Sequence, residues 1–130
     1  PGNFHLYDES TGPVGNRQWS FGQNQSSKDW NPVFFCEEPG IYNISLTVIG
    51  LNNQEDIMDL TLVALEAGTQ LNNLGDINGD NNISTIDVLL CINFILNLTN
   101  FSPQEFISAD IDKNGTINIF DVLSITSLID

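Results

Sequence analysis

Two stretches of twelve residues share one spacing of oxygen-bearing side chains. Loop one covers residues 76–87 and loop two covers residues 110–121. Aspartate occupies positions 1 and 12 of both loops, and Asp, Asn or Ser fills positions 3, 5 and 9. Oxygen donors at this spacing suit a hard divalent cation such as Ca²⁺, which takes about six to eight oxygen ligands.

The EF-hand pattern takes ligands from loop positions 1, 3, 5, 7, 9 and 12, so we predict two bound calcium ions. The ligands of loop one are then Asp76, Asn78, Asp80, the main-chain carbonyl of Asn82, Ser84 and Asp87. Those of loop two are Asp110, Asp112, Asn114, the main-chain carbonyl of Thr116, Asn118 and Asp121. Position 12 is Asp where the general pattern has Glu, so the closing carboxylate has a shorter reach.

Position 6 of such a loop needs a left-handed backbone, which Gly115 adopts freely and Asn81 tolerates. We therefore expect slight strain in loop one. Because each loop carries three carboxylates, folding of this region should depend on calcium. The alternative is that the loops only cap helices, as Ser84 with Asp87 could do. The repetition of the whole pattern favours metal binding.

Helical periodicity follows each loop. Apolar residues at steps of three and four predict helices over about 86–96 and 119–129. Between them, a serine cap, a proline and a glutamate predict a short helix over 103–108. Position 8 of the loops holds Ile83 and Ile117, which should face each other in a short β-like contact that couples the two sites.

The N-terminal half has the signals of β-strands. In the segment 41–49, Tyr42, Ile44, Leu46 and Val48 alternate with mostly polar residues, which indicates a half-buried strand. Shorter strands are predicted at 4–7, 18–21, 33–36 and 58–65, separated by turn residues. A small antiparallel sandwich results. We divide the chain into a β module at 1–66, a linker at 67–73 and an α module at 74–130.

Composition limits the partners. The 130 residues include 3 basic and 17 acidic side chains, for a net charge of -14, so nucleic acid and anionic membranes are poor partners. No apolar run is long enough to cross a bilayer, and no leader precedes Pro1, so we expect an excised fragment without membrane insertion. Cys36 and Cys91 lie in separate predicted cores and are expected to be buried free thiols.

Paired loops without an entering helix, with Asp at position 12 and a linking helix, resemble the dockerin family over residues 74–130. Dockerins are calcium-dependent modules of secreted bacterial and archaeal proteins that bind cohesin modules on a scaffoldin or cell-surface protein. The resemblance implies a secreted or extracellular location, attachment to the cell surface through the partner, and a larger parent protein of the cellulosome kind. Such a parent could itself contact polysaccharide.

In that family, loop positions 10 and 11 and later helix residues contact cohesin. The hydroxyl pair usual at positions 10 and 11 is half present in the first repeat and missing from the second, so the contact should depend on apolar surface, more like type II than type I. The difference between the repeats implies one dominant orientation. For Leu89 and Leu123, burial in the core or against the neighbouring module is the alternative. The implied contacts are Thr85, Ile86, Leu89, Ile92, Asn93, Ile119, Phe120, Leu123, Thr126 and Ser127.

The N-terminal half resembles the polycystic kidney disease (PKD) repeat, an immunoglobulin-like sandwich. The matching segments are 4–12, 19–22, 31–32 and 39–48. The predicted fold class is therefore two modules, an all-β immunoglobulin-like sandwich and an all-α dockerin fold with paired F-hand or EF-hand loops. The β module would serve as a spacer or a stabilising neighbour.

Three other functions have less support from the residues. Catalysis is disfavoured because His5 is the only histidine and no nucleophile motif adjoins it, so we expect a non-catalytic fragment. A calcium sensor would need an entering helix before each loop, and residues 68–74 are too short and polar for one. A carbohydrate- or surface-adhesion module with structural calcium sites, acting through Trp19 or Trp30, stays the alternative.

Overall fold

The computed structural model describes residues 2–22 and 24–129. The chain divides into two compact units, Pro1–Ala64 and Leu65–Asp130. Among the described residues, no helix has the length and apolar character needed to cross a membrane.

In its described residues the first unit has six antiparallel strands in two sheets. The strands are β1 (Gly2–His5), β2 (Val14–Ser20), β3 (Ser26–Ser27), β4 (Val33–Cys36), β5 (Gly40–Gly50) and β6 (Glu55–Ala64). One sheet pairs β1 with β4, and the other has the order β3-β2-β5-β6. The predicted sandwich is confirmed, and each of the five predicted strands overlaps an observed one. Strands β1, β2 and β6 begin two, four and three residues earlier than predicted. Strand β3 was missed because two serines among turn residues carry no alternation.

The core of this unit lies between the two sheets. Ile44 and Leu46 of β5 are buried, and Tyr42 and Val48 pack against the same cluster, which confirms the predicted alternation. The opposite layer contributes Phe34, whose ring stacks on Phe21 with centroids 5.1 Å apart. Burial of these apolar side chains is the main stabilising contribution to such a sandwich.

One charged side chain of the larger sheet, that of Arg17 on β2, is buried. Arg17 is buried and forms an ion pair with Asp8, which fixes the connection between β1 and β2 against the sheet. Its guanidinium carbon also lies 3.0 Å from the ring centroid of Trp30. One face of Trp30 is therefore covered by a cation, which leaves only the other face for any ligand.

Three helices are found in the second unit up to residue 129, namely α1 (Thr85–Ile95), α2 (Pro103–Ala109) and α3 (Ile119–Ser127). All three were predicted, with ends that differ by one or two residues. Helix α2 begins with a capping box, in which the Ser102 N–H donates to Glu105 Oε2 at 2.8 Å and the Glu105 N–H donates to Ser102 Oγ at 3.3 Å. The local sequence signature was therefore sufficient to place this helix.

Helices α1 and α3 pack against each other, with Cys91 and Ile125 fully buried. The two cysteines of the chain are free and buried, as predicted. Burial, with the nearby charge of Asp121, raises the pKa of the Cys91 thiol to about 11. Cys91 is therefore an inert core residue.

Part of the predicted linker is held by the second unit. Gln104 Nε2 on α2 donates to the carbonyl of Gln70 at 2.8 Å and to Asn72 Oδ1 at 2.6 Å. Asn72 Nδ2 in turn donates to the carbonyl of Ile77 in loop one at 3.4 Å. Residues 70–72 thus pack with the module that they were expected only to precede.

Candidate metal centre and docking face

Loop positions 9 and 12 form the N-terminal caps of α1 and α3. The Ser84 N–H donates to Asp87 Oδ2 at 2.9 Å, and the Asn118 N–H donates to Asp121 Oδ2 at the same distance. Both pairs complete capping boxes. These residues therefore cap the helices, and the same geometry places a carboxylate at the end of each loop, where a metal ligand is needed.

The same two carboxylates also close the loops. Asp87 Oδ1 accepts a hydrogen bond from the N–H of Ile77 at 2.9 Å. Asp121 Oδ1 accepts one from the N–H of Ile111, also at 2.9 Å. Each bond joins loop positions 2 and 12, so both loops are drawn into rings.

The carboxylate at position 1 lies inside each ring. In loop one, Asp76 Oδ1 accepts from Gly79 N at 2.8 Å, and its Oδ2 accepts from Asn81 N at 2.9 Å. In loop two, Asp110 Oδ2 accepts from Gly115 N at 2.9 Å. Because backbone amides surround these aspartates, the loop main chain is wrapped around a central anionic group.

The backbone angles confirm the expected turn at position 6, with φ of 65° at Asn81 and 80° at Gly115. Position 4 is also left-handed, with φ of 74° at Gly79 and 59° at Lys113. This second turn was missed, although the glycine of loop one is a signal for it. Each loop therefore holds one non-glycine residue in a left-handed conformation, whereas strain was expected only in loop one.

The acids at positions 1 and 12 are buried without basic partners. Asp87 is 0 % exposed, and Asp76, Asp110 and Asp121 are also buried. Within the described part of the chain, the only ion pair joins Arg17 to Asp8 in the other unit. Buried carboxylates without a countercharge are costly, so these positions favour a bound cation.

Loop two gathers three carboxylates at one point. Asp110, Asp112 and Asp121 each offer an oxygen, and the three oxygens lie within 4.8 Å of one another. Burial raises the pKa of Asp110, and the charges of Asp121 and Asp112 add to this effect, while hydrogen bonds from Gly115 and Asn114 lower it. A divalent cation at this point would relieve the mutual repulsion.

Loop one is arranged differently. No comparable trio of acids is found there among the described residues. Position 3 is an amide in loop one and a carboxylate in loop two. Positions 3 and 5 are joined in both loops, since Asn78 Nδ2 donates to Asp80 Oδ2 and Asn114 Nδ2 donates to Asp112 Oδ2, each at 2.8 Å. The presence of one ion is thus better supported by geometry than the presence of two, and the count of two stays a prediction.

The remaining ligand positions are equivalent in the two loops. Asp80 Oδ1 accepts from Asn82 N at 2.8 Å, and Asn114 Oδ1 accepts from Thr116 N at 2.7 Å. These bonds join positions 5 and 7 in the same way. All twelve residues predicted to hold metal offer only oxygen donors, which fits calcium and disfavours a soft metal.

The expected β-like contact between Ile83 and Ile117 is wrong. Neither residue lies in a strand or bridge, and no described backbone hydrogen bond joins them. Ile83 instead packs near Gly75 at the start of the module, where an added Cβ would come within 3.2 Å of Ile83 Cδ1 and Leu128 Cδ1. Backbone pairing at position 8 therefore does not couple the two loops in the described residues.

Five large apolar side chains of α1 and α3 face solvent. We call Ile86, Leu89, Ile119, Phe120 and Leu123 the docking face; all are exposed, and Phe120 most of all at 69 %. The alternative that Leu89 and Leu123 belong to the core is therefore wrong. Of the other implied contacts, Thr85, Thr126 and Ser127 are exposed, whereas Ile92 and Asn93 are half-buried.

Helical periodicity explains this exposure. Cys91 and Ile125 lie four residues after the closing aspartates and turn inward with them. Leu89 and Leu123 lie two residues after those aspartates, on the opposite side of each helix. Because Asp87 and Asp121 are buried, Leu89 and Leu123 must point outward.

Residues 74–130 match the family model described as "Dockerin type I domain". These residues form a dockerin module. Dockerins are non-catalytic modules that in general dock cohesins in a calcium-dependent manner. The matching model describes type I domains, and it does not test whether the docking face has the type II-like character expected from the sequence.

Solved structures of PKD domains are similar to this chain. One is the PKD1 domain from Vibrio cholerae metalloprotease PrtV, at 26% identity and a TM-score of 0.40, covering 44% of this chain and 70% of that chain. Another is the PKD1 domain of Vibrio anguillarum Epp, at 18% identity and a TM-score of 0.38, covering 49% and 94% respectively. No match was found among curated proteins.

Proposed function

We propose that the dockerin module attaches its parent protein to a cohesin on a scaffoldin or cell-surface protein, with two calcium ions as structural clamps. The observation that carries this proposal is the docking face. It consists of exposed apolar side chains on two helices, each of which begins at a loop of calcium-binding type. An exposed apolar surface anchored on rigid helices is suited to a protein partner.

Calcium acts on the helices through the closing aspartates. Asp87 and Asp121 are proposed ligands, and they also cap α1 and α3. Calcium bound to these carboxylates fixes their position and so holds the first turn of each helix in place. Ile86, Ile119 and Phe120 lie in those turns. Calcium is thus required for the docking face to keep its shape, although it does not itself touch the partner.

The two halves of the docking face are unequal. The first repeat has Thr85 and Ile86 at loop positions 10 and 11, and the second has Ile119 and Phe120. An apolar contact of the type II kind, with one dominant orientation of the bound module, follows from this difference. Apolar contact also agrees with the scarcity of basic residues, since the second unit has only Lys113.

The first unit is proposed to be a spacer or stabilising neighbour between the dockerin module and the rest of a larger secreted protein. We keep the boundaries proposed from the sequence, which are 1–66 for the β module, 67–73 for the linker and 74–130 for the dockerin module. Any contact with polysaccharide would be made by the parent protein. Trp30 gives little support to a sugar site here, because Arg17 covers one face of its ring.

Affinity chromatography tests the proposal. The chain, loaded with calcium, is passed over columns that each carry one cohesin encoded in the same genome. We expect retention on at least one column and release by a chelator. Absence of retention on every cohesin, with retention on a polysaccharide column instead, would refute the docking function and favour the adhesion alternative.

A further inference from the structure

Asparagine is followed by glycine at two places in this chain, and both places lie in the metal loops. Of the 17 asparagines, only Asn78 and Asn114 precede glycine. They occupy position 3 of loop one and position 5 of loop two, and both side chains are exposed to solvent. Glycine has no Cβ to hinder the approach of its nitrogen to the preceding side chain. These two residues are therefore the ones most prone to lose the side-chain amide.

The reaction is deamidation through a cyclic imide. The backbone nitrogen of the glycine attacks Cγ of the asparagine, so that a new C–N bond forms and the Cγ–Nδ2 bond breaks. Ammonia leaves with the proton given up by the glycine nitrogen. Water then opens the imide at one of its two carbonyls, which gives either aspartate or isoaspartate. In isoaspartate the main chain is longer by one methylene group. Water is the only other reactant, and both side chains are exposed to it.

In each folded loop the attacking nitrogen is already engaged. Gly79 N donates to Asp76 Oδ1 at 2.8 Å, and Gly115 N donates to Asp110 Oδ2 at 2.9 Å. The nitrogen must lose its proton to attack, and an adjacent carboxylate disfavours the negative charge that results. The carboxylate at loop position 1 therefore protects both sites, although the two asparagines lie at different positions in their loops.

The asparagine side chains are held as well, at both ends of the amide. Asn78 Oδ1 accepts from Asp80 N at 3.0 Å, and its Nδ2 donates to Asp80 Oδ2 at 2.8 Å. Asn114 Oδ1 accepts from Thr116 N at 2.7 Å, and its Nδ2 donates to Asp112 Oδ2 at 2.8 Å. Movement of the amide toward the next nitrogen would break these hydrogen bonds. Each asparagine must therefore leave the folded conformation of its loop before it reacts.

We propose that Asn78 and Asn114 are deamidation sites that the folded loops protect and that loss of calcium exposes. This inference rests on the two calcium sites proposed above. Without the ion, the acids of each loop repel one another and the loop opens. Opening releases the glycine nitrogen and the asparagine side chain together, so both restraints on the reaction are lost in one step.

The two products differ in their effect on a loop. Isoaspartate lengthens the main chain between two ligand positions, so the spacing that calcium requires is lost. Aspartate keeps an oxygen ligand in place, and at residue 78 it reproduces Asp112, the residue that loop two has at position 3. A chain that has lost calcium and formed isoaspartate therefore does not rebuild its site when calcium returns.

The test follows the unaltered chain by peptide mapping with mass spectrometry after incubation for days at mildly alkaline pH. One sample contains calcium and the other a chelator. Deamidation is detected as the mass gained when an amide NH2 is replaced by a hydroxyl group. We expect it to be at least about tenfold faster at Asn78 and Asn114 in the chelated sample, since the rate follows the open fraction of each loop. Asn82 is the matched control, because it also lies in loop one but precedes isoleucine, and it should stay intact in both samples.

One variant and one second readout complete the test. Asn78→Asp should abolish the mass gain at residue 78 and leave the gain at Asn114 as it is. Calcium is then returned to the chelated sample of the unaltered chain, and helical circular dichroism is measured. We expect recovery only in the fraction of molecules that are free of isoaspartate. Full recovery by molecules that contain isoaspartate would show that the loops tolerate the longer main chain.

Isothermal titration of calcium separates failure of this inference from failure of the proposed function. Equal rates at Asn78 and Asn114 in the two samples, with calcium bound in the titration, would overturn the inference and leave the calcium clamp intact. Reaction of Asn82 as fast as Asn78 would also overturn it, because the glycine would then have no part in the reaction. Absence of calcium binding in the titration would refute the clamp itself.

Discussion

The backbone N–H of Ile111 donates a hydrogen bond of 2.9 Å to Asp121 Oδ1, which joins the second and the last residues of loop two. The other oxygen of Asp121 accepts from Asn118 and caps α3. A single carboxylate therefore closes the proposed metal site and starts a helix of the docking face. Asp87 holds the same position in loop one. The chemistry of the loops and the surface offered to a partner are thus linked through two residues.

Removal of a closing carboxylate should abolish one calcium site. We expect the calcium stoichiometry to fall from two to one in Asp87→Ala and likewise in Asp121→Ala, because each change deletes a ligand and a helix cap. Isothermal titration of calcium into metal-free protein measures this directly. Asp59→Ala, which removes an exposed acid of β6, is the control. An unchanged stoichiometry in either loop variant would refute the ligand assignment for that loop.

Chelation should unfold the second unit and leave the first unit folded. Four buried acids without basic partners repel one another once calcium is removed, so α1 and α3 lose their fixed N-termini. We expect a large loss of helical circular dichroism at 222 nm. Trp19 and Trp30 both lie in the first unit, so tryptophan emission should not change. Full helicity in the presence of chelator would show that calcium is not a structural clamp.

The left-handed residues offer a test of strain. Lys113 has a φ of 59°, and glycine adopts such angles without steric cost. We expect Lys113→Gly to raise the free energy of unfolding of the calcium-loaded second unit by about 1 kcal/mol. Chemical denaturation followed by circular dichroism measures the change. Lys28→Gly, which also removes an exposed lysine but from a residue without positive φ, should give no gain.

Sequence periodicity was sufficient for most elements of this fold. Strand β5 and the three helices carry strong local patterns, and the structure has them within one or two residues of the predicted ends. Strand β3 has two residues and no pattern of its own, because it exists only through pairing with β2. The exposure of Met58 and Leu60 on β6 could not be predicted from the sequence either, because their alternation is that of a buried strand.

In the two loops, as in the strands, the sequence predicted local features but not those that depend on packing. Residue types predicted the turn at position 6, because it depends on local chemistry, whereas the ligand positions stay a prediction. The position-8 contact was wrong because it depends on how the two repeats pack, and Ile83 packs near Gly75 instead. The difference between the loops follows from Asn78 and Asp112, yet its effect on carboxylate distances required coordinates.

The ion pair of the first unit should make its stability depend on acidity. Burial alone would raise the pKa of Asp8, but hydrogen bonds from Ser10 and the charge of Arg17 outweigh it and hold the pKa below its ordinary value of 3.8. The stabilisation is therefore complete above pH 3.8 and is lost as the pH falls through the lowered value. In urea unfolding followed by tryptophan emission, Asp8→Asn should be less stable than the unaltered chain at about pH 5. The difference should vanish once the pH has fallen below the lowered pKa of Asp8.

The control for this effect is Glu9→Gln, which neutralises the next residue along the chain. Glu9 is exposed and, among the described residues, makes no hydrogen bond and no ion pair through its side chain. This change should therefore leave the pH dependence of the stability unaltered. A gap between Asp8→Asn and the unaltered chain that persists at low pH would show that the asparagine disturbs packing, and that the charge of Asp8 is not the cause.

The docking face should depend more on its second repeat than on its first. Ile119 and Phe120 place two large exposed apolar side chains next to each other at the start of α3, whereas α1 offers Ile86 beside the polar Thr85. We expect Phe120→Ser to weaken cohesin binding at least about a hundredfold and Ile86→Ser by about tenfold or less, measured by surface plasmon resonance with calcium present. Leu98→Ser is the control, because it removes an exposed leucine outside both helices and should change neither affinity nor helicity. Equal losses for Phe120→Ser and Ile86→Ser would mean that both repeats contribute alike, and a single dominant orientation would have to be abandoned.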